Sequence, residues 1–139
     1  MATPSLEDLE RLAALERSVS ERLAGADENP AAVLAAGEEV LAFAQVEERL
    51  FFPILPLLDP EVRAELEHEH EQLADDLQLL RSLFTANPDC LDAAALAPPL
   101  AKRLRVHLAR DSRLIAHALR LGTRIDTDMA ADRRGSGRG

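Results

Sequence analysis

Apolar side chains recur along this chain in alternating steps of three and four, the period of one face of an α-helix. Val40, Phe43, Leu50, Ile54 and Leu57 form one such series, Leu66, Leu73, Leu77, Leu80 and Phe84 a second, and Leu100, Leu104, Leu114, Ala118 and Leu121 a third. Helix starts are marked by side chains that accept from the free N–H groups of a first turn, or by proline at the first helical position. Ser5 with Asp8 three residues later, Asn29-Pro30, Asp59-Pro60 and Pro98-Pro99 supply four such starts. The pattern predicts helices over about 5–23, 30–57, 60–85 and 98–122. Pro53 and Pro56 should bend or loosen the last turns of the second. Four amphipathic helices on short connections imply an all-α, antiparallel up-down-up-down four-helix bundle over residues 1–125. The C-terminal stretch 126–139, ending in the basic run RRGSGRG, reads as a disordered tail.

Composition agrees with this and narrows the function. Only 3% of residues are aromatic, with no Trp or Tyr, which disfavours a sandwich or barrel. The net charge of −9 is unevenly spread: residues 1–100 hold 21 acidic and 6 basic side chains, residues 101–139 hold 4 and 10. An acidic body argues against a nucleic-acid partner. The single Cys90 gives no disulfide framework and fits a reducing cytoplasm. The N-terminus lacks a secretory pattern, and no apolar run approaches the length that spans a bilayer, so no membrane partner is expected.

The informative positions are the gaps in the apolar series. His70 fills the third-helix series, His107 and Asp111 fill the fourth, and Glu47 fills the second, beside an outward Glu48. A buried, unpaired carboxylate or imidazolium costs several kcal/mol, so such a cluster requires either mutual hydrogen bonds or a cation. Imidazole nitrogen with carboxylate oxygen suits iron, zinc or manganese. His107 and Asp111, four residues apart, project from one helix face. His68, among Glu65, Glu67, Glu69 and Glu71, and His117 lie off the series and read as surface residues. Glu47–Leu55 also aligns with Asp111–Leu119, placing Asp111 on Glu47, as though the bundle were built from two related helical hairpins.

Three stretches together resemble the hemerythrin-like (HHE cation-binding) domain family: FAQVEERLFFPIL its second helix, EHEHEQLADDLQLLRSL its third, and LAKRLRVHLARDSRLIAHAL its fourth. The resemblance covers about residues 5–122 and implies a bundle holding two irons, bridged by carboxylates of helices two and four. Glu47 and Asp111 match the bridging positions, and His70 and His107 match two histidine positions. Elsewhere the chain departs from the family pattern. Leu9 or Leu12 stands where the first-helix histidine belongs, Phe43 where the second-helix histidine does, and Leu66 at a further third-helix site. By this carry-over one iron keeps only the shared carboxylates. The other keeps Glu47, His70, His107 and Asp111, which implies one non-haem iron ion, or zinc, or no metal at all. Glu10 or Glu16 is a candidate substitute ligand on the first helix.

Three functions follow as expectations. One is a metal-binding protein with a reduced, mononuclear site, serving sensing or storage. Another is a metal-free bundle acting as an interaction module, a homodimer through exposed Phe51 and Leu55. The third is a small apolar ligand lodged among Phe43, Leu66 and Leu9 or Leu12. No catalytic triad, phosphate-cradling glycine loop or substrate motif is present, so enzyme activity has no sequence support beyond what bound iron would lend.

Overall fold

The first helix begins as the Ser5–Asp8 spacing implies: Ser5 Oγ accepts from the Asp8 N–H at 3.1 Å and Asp8 Oδ2 from the Ser5 N–H at 3.2 Å, a reciprocal capping box. The Asn29 side chain caps the second helix through the Ala32 N–H and Asp59 the third through the Glu61 N–H, each with proline in the first turn. The structure, a computed structural model, describes residues 5–54 and 59–136, with side chains as far as Gly122. Among the described residues there are four helices and no strand: α1 (Leu6–Ala24), α2 (Pro30–Leu50), α3 (Pro60–Ala86) and α4 (Leu91–Ser136). They pack as a four-helix bundle around a core of leucine, valine, phenylalanine and alanine.

Three boundaries differ from the sequence expectation. The second helix stops at Leu50 rather than 57. Proline cannot donate and disfavours helical backbone in the residue before it, so Pro53 ends the ladder. The Phe51 and Phe52 N–H groups both donate to the Glu47 carbonyl, at 2.7 and 3.1 Å, and the chain turns through residues 51–54. That turn carries Phe51 and Phe52 inward, to 0 and 2% exposure. Phe51 is therefore a core residue and not part of an exposed dimer surface, while Leu55 lies outside the described residues. The fourth helix begins at Leu91, with Pro98 and Pro99 inside it. Its buried face, Ala93, Ala97, Leu100 and Leu104, keeps the period of three and four across both prolines, so apolar packing holds the segment helical despite the missing donors. The helical backbone continues to Ser136, through residues 126–136, which composition alone reads as disordered. Residues 137–139 lie outside the described residues.

The buried positions of each helix trace one stripe: Leu9, Leu12, Glu16, Val19 and Leu23 on α1; Val33, Gly37, Val40, Phe43 and Glu47 on α2; Leu66, His70, Leu73, Leu77 and Leu80 on α3. Gly37 marks a close approach, since a Cβ there would collide with the Leu77 side chain. Leu9, Leu12, Phe43 and Leu66, proposed above as walls of an apolar ligand cavity, are 5, 1, 1 and 0% exposed and belong to the core cluster. No described helix is long and apolar enough to cross a membrane.

Candidate metal centre

Four charged or ionisable side chains interrupt the stripes at one level of the bundle. Glu47 enters from α2, His70 from α3, and His107 and Asp111 from successive turns of α4, and all four are buried, none more than 6% exposed. Each offers one ligand atom, and those atoms lie within 4.8 Å of one another. These are the four residues singled out from the sequence. α1 adds none: Glu10 is exposed, and buried Glu16 accepts from Ser20 Oγ at 2.6 Å, outside the four-residue group. His68 and His117 are exposed, and Cys90 is half-buried.

The histidines are held from outside. His70 Nδ1 lies 3.0 Å from Glu48 Oε1, and His107 Nδ1 lies 2.7 Å from Glu69 Oε1. A carboxylate can only accept, so both Nδ1 atoms carry the proton, and in a neutral ring this leaves Nε2 as a bare acceptor turned inward. Sequence reasoning missed Glu48 and Glu69, reading one as outward and the other as part of a solvated acidic run. The available signal was adjacency: a residue next to a core-facing ligand sits about 100° round the helix and faces the neighbouring helix. Phe52 stacks on the His70 ring at a centroid distance of 5.4 Å, and the two histidine rings meet edge to face at 4.9 Å.

Acceptors thus face acceptors at the centre. His70 Nε2 lies 3.1 Å from Glu47 Oε1, and His107 Nε2 lies 2.9 Å from Asp111 Oδ2. These contacts are close in distance but out of line for hydrogen bonds, and six buried atoms lack a partner: both oxygens of Glu47 and of Asp111, and Nε2 of both histidines. Each such atom forgoes about 1–3 kcal/mol of solvation unless something else satisfies it. Without a metal, protons do part of this. Burial, with the Asp111 carboxylate beside it, pushes Glu47 up to about 10. Burial pulls His107 the other way, but Asp111 and then Glu69 override it and hold the imidazole at about 10. Glu69 is drawn below the ordinary carboxylate value, chiefly by its hydrogen bond from His107.

A divalent cation satisfies the same atoms more completely. Nitrogen and oxygen ligands about 2.1 Å from one ion can stand no more than about 4.2 Å apart, so a contraction of a few tenths of an ångström per side chain closes the group on a metal. Glu48 and Glu69 then play the part that carboxylates commonly play behind metal-bound histidine, fixing ring and tautomer. The buried Glu, His, His and Asp together form a group able to hold a metal ion. Comparison with protein-family models, with curated proteins and with solved structures gives no match to the chain.

Proposed function

We propose that the protein is a hemerythrin-like metal-binding bundle whose Glu47, His70, His107 and Asp111 hold one non-haem iron or zinc ion, serving sensing or storage in the cytoplasm. The observation that carries the reading is the set of six unpartnered buried atoms, converging between two histidines whose outer nitrogens are already engaged. Cross-helix pairs support the antiparallel topology. Arg22–Glu39 at 2.8 Å joins α1 to α2. Arg81–Glu38 and His70–Glu48 join α2 to α3, and Arg103–Asp76 and Arg110–Glu65 join α3 to α4, with numbers rising on one helix as they fall on the next. Helix α1, with Leu9 or Leu12 where the family's first-helix histidine belongs, adds no carboxylate or imidazole to the group, which favours one ion over two. Iron held there supplies redox chemistry and zinc supplies Lewis acidity; the chain's own residues bind the ion, orient the two rings and exclude water from three of the four ligands.

A metal-free interaction module is the second reading. The raised pKa values of Glu47 and His107 favour it, because protons at those positions relieve part of the buried charge. Anaerobic loading of untagged protein with Fe(II), and separately Zn(II), followed by desalting and mass spectrometry, separates the two. The expected result is close to one equivalent per chain, lost in both His70→Ala and His107→Ala. Full retention in both variants sinks the proposed site. An absence of bound metal, with a melting temperature indifferent to chelator, overturns the metal site and leaves the metal-free reading.

A further inference from the structure

Three of the four ligands, Glu47, His107 and Asp111, have 0% exposure, and only His70 retains any, at 6%. An open groove of about 500 Å³ between α2 and α3 is lined by His70 together with Glu48, Glu67 and Glu71, with Arg63 as the one cationic side chain among the described lining residues. Arg63 is itself paired with Glu67 at 2.9 Å. A second groove of about 470 Å³, between α3 and α4, reaches Glu69, the carboxylate behind His107. Its wall carries Lys102, Arg103 and Arg110 against Glu65 and Glu69, and Arg110 spans those two carboxylates. One approach to the centre is therefore acidic and touches a ligand; the other is basic and stops one residue short.

We infer that divalent cations enter and leave the centre through the α2–α3 groove, drawn in by Glu67 and Glu71 and handed to His70 past Glu48. The inference rests on the metal-binding reading above. Its geometric support is His70 itself, the one ligand of the four with any exposure, whose ring lines the groove while its unpartnered Nε2 faces Glu47 at the centre. Like-signed side chains along a low-dielectric cleft raise the local concentration of the opposite charge and speed association, an effect that salt screens. The basic wall on the other side of α3 raises the opposite barrier to a cation. Glu48 joins the two functions, since it lines the groove and holds His70 Nδ1, so the same carboxylate meets the incoming ion and braces the ring that receives it.

The experiment follows Co(II) uptake by stopped-flow visible absorption at low ionic strength, with the amount bound at equilibrium measured separately by mass spectrometry. The Glu67→Lys/Glu71→Lys double variant changes exposed side chains only and is expected to bind the same amount of Co(II) about tenfold more slowly, with the difference vanishing in about 0.5 M salt. Lys102→Glu, on the other groove, is expected to leave the rate unchanged. An unaltered rate in the double variant, or acceleration in Lys102→Glu, overturns the route while leaving the centre intact. Failure of the wild-type protein to bind Co(II) at equilibrium overturns the centre and the route together.

Discussion

The pH dependence of metal affinity is the sharpest test of the buried cluster, because the metal-free protein has already filled part of it with protons. With Glu47 and His107 both held up to about 10, each carries a proton at neutral pH, and each must release it before its carboxylate or Nε2 can ligate. Two protons leaving as one dication arrives keeps the charge of the pocket constant, which a low-dielectric site strongly favours. The logarithm of the binding constant should then rise by about two per pH unit across the neutral range, or ~2.7 kcal/mol per unit. Zn(II) competition titrations at pH 6.5, 7.0 and 7.5 read this slope directly, and calorimetry in buffers of different ionisation enthalpy counts the protons. A slope near zero would show that the ion binds elsewhere, on exposed carboxylates that are already ionised. Stability runs the opposite way without metal. A group whose folded pKa is raised stabilises fully below its unfolded value, 4.5 for Glu47 and 6.5 for His107, and that contribution is lost as pH rises toward 10. The melting temperature of chelator-treated protein should accordingly fall as pH rises from 5 to 9, and a flat or rising profile would contradict the proton-filled pocket.

Other expectations are more local. Glu69→Gln should weaken metal binding by about 10- to 100-fold while the protein stays folded, as expected for loss of a carboxylate behind a metal-bound histidine; circular dichroism with equilibrium dialysis checks it. Glu48→Gln should act in the same direction but less, because Glu48 is 49% exposed and Glu69 26%, and equal or reversed effects would argue against the bracing role. Metal present at about 100 times its dissociation constant should raise stability by ~2.7 kcal/mol, read as a shift in urea midpoint that chelator reverses. Gly37→Ala adds a methyl group against buried Leu77, and despite the better helix propensity of alanine it should destabilise by ~1 kcal/mol; a gain in midpoint would show that Leu77 yields freely.

The four central residues were legible because each fills an apolar series at a step of three or four, and burial follows such a series closely. Glu48 and Glu69 were not, because a one-sided reading of a helix divides residues into inward and outward and has no place for a side chain aimed at the next helix. Phe51 shows a different failure. Continuing the second helix to residue 57 puts Leu50 on the inner face and Phe51 outside, whereas termination ahead of Pro53 turns both Phe51 and Phe52 into the core. At the fourth helix Pro98-Pro99 gives a start signal inside the helix, and the alanines that extend the buried face back to Ala93 leave little trace in the sequence because alanine marks a face only weakly. The position of α1 was plain from its cap and its leucines, and burial of Glu16 there fits the same stripe.

The pairing of ligand and brace in adjacent positions, Glu47 with Glu48 and Glu69 with His70, bears on how the chain can change length. Because one residue turns a helix by about 100°, a single insertion near the middle of α2 or α3 swings a ligand out of the centre and its neighbour off the adjoining helix in one stroke. No point substitution does both. Insertion of a whole turn nearly restores the phase, but moves the pair along the axis by about 6 Å, away from Asp111. Length variation inside α2, inside α3 and in α4 as far as Asp111 is thereby disfavoured, and a homologue can be sorted by whether its gaps avoid those segments.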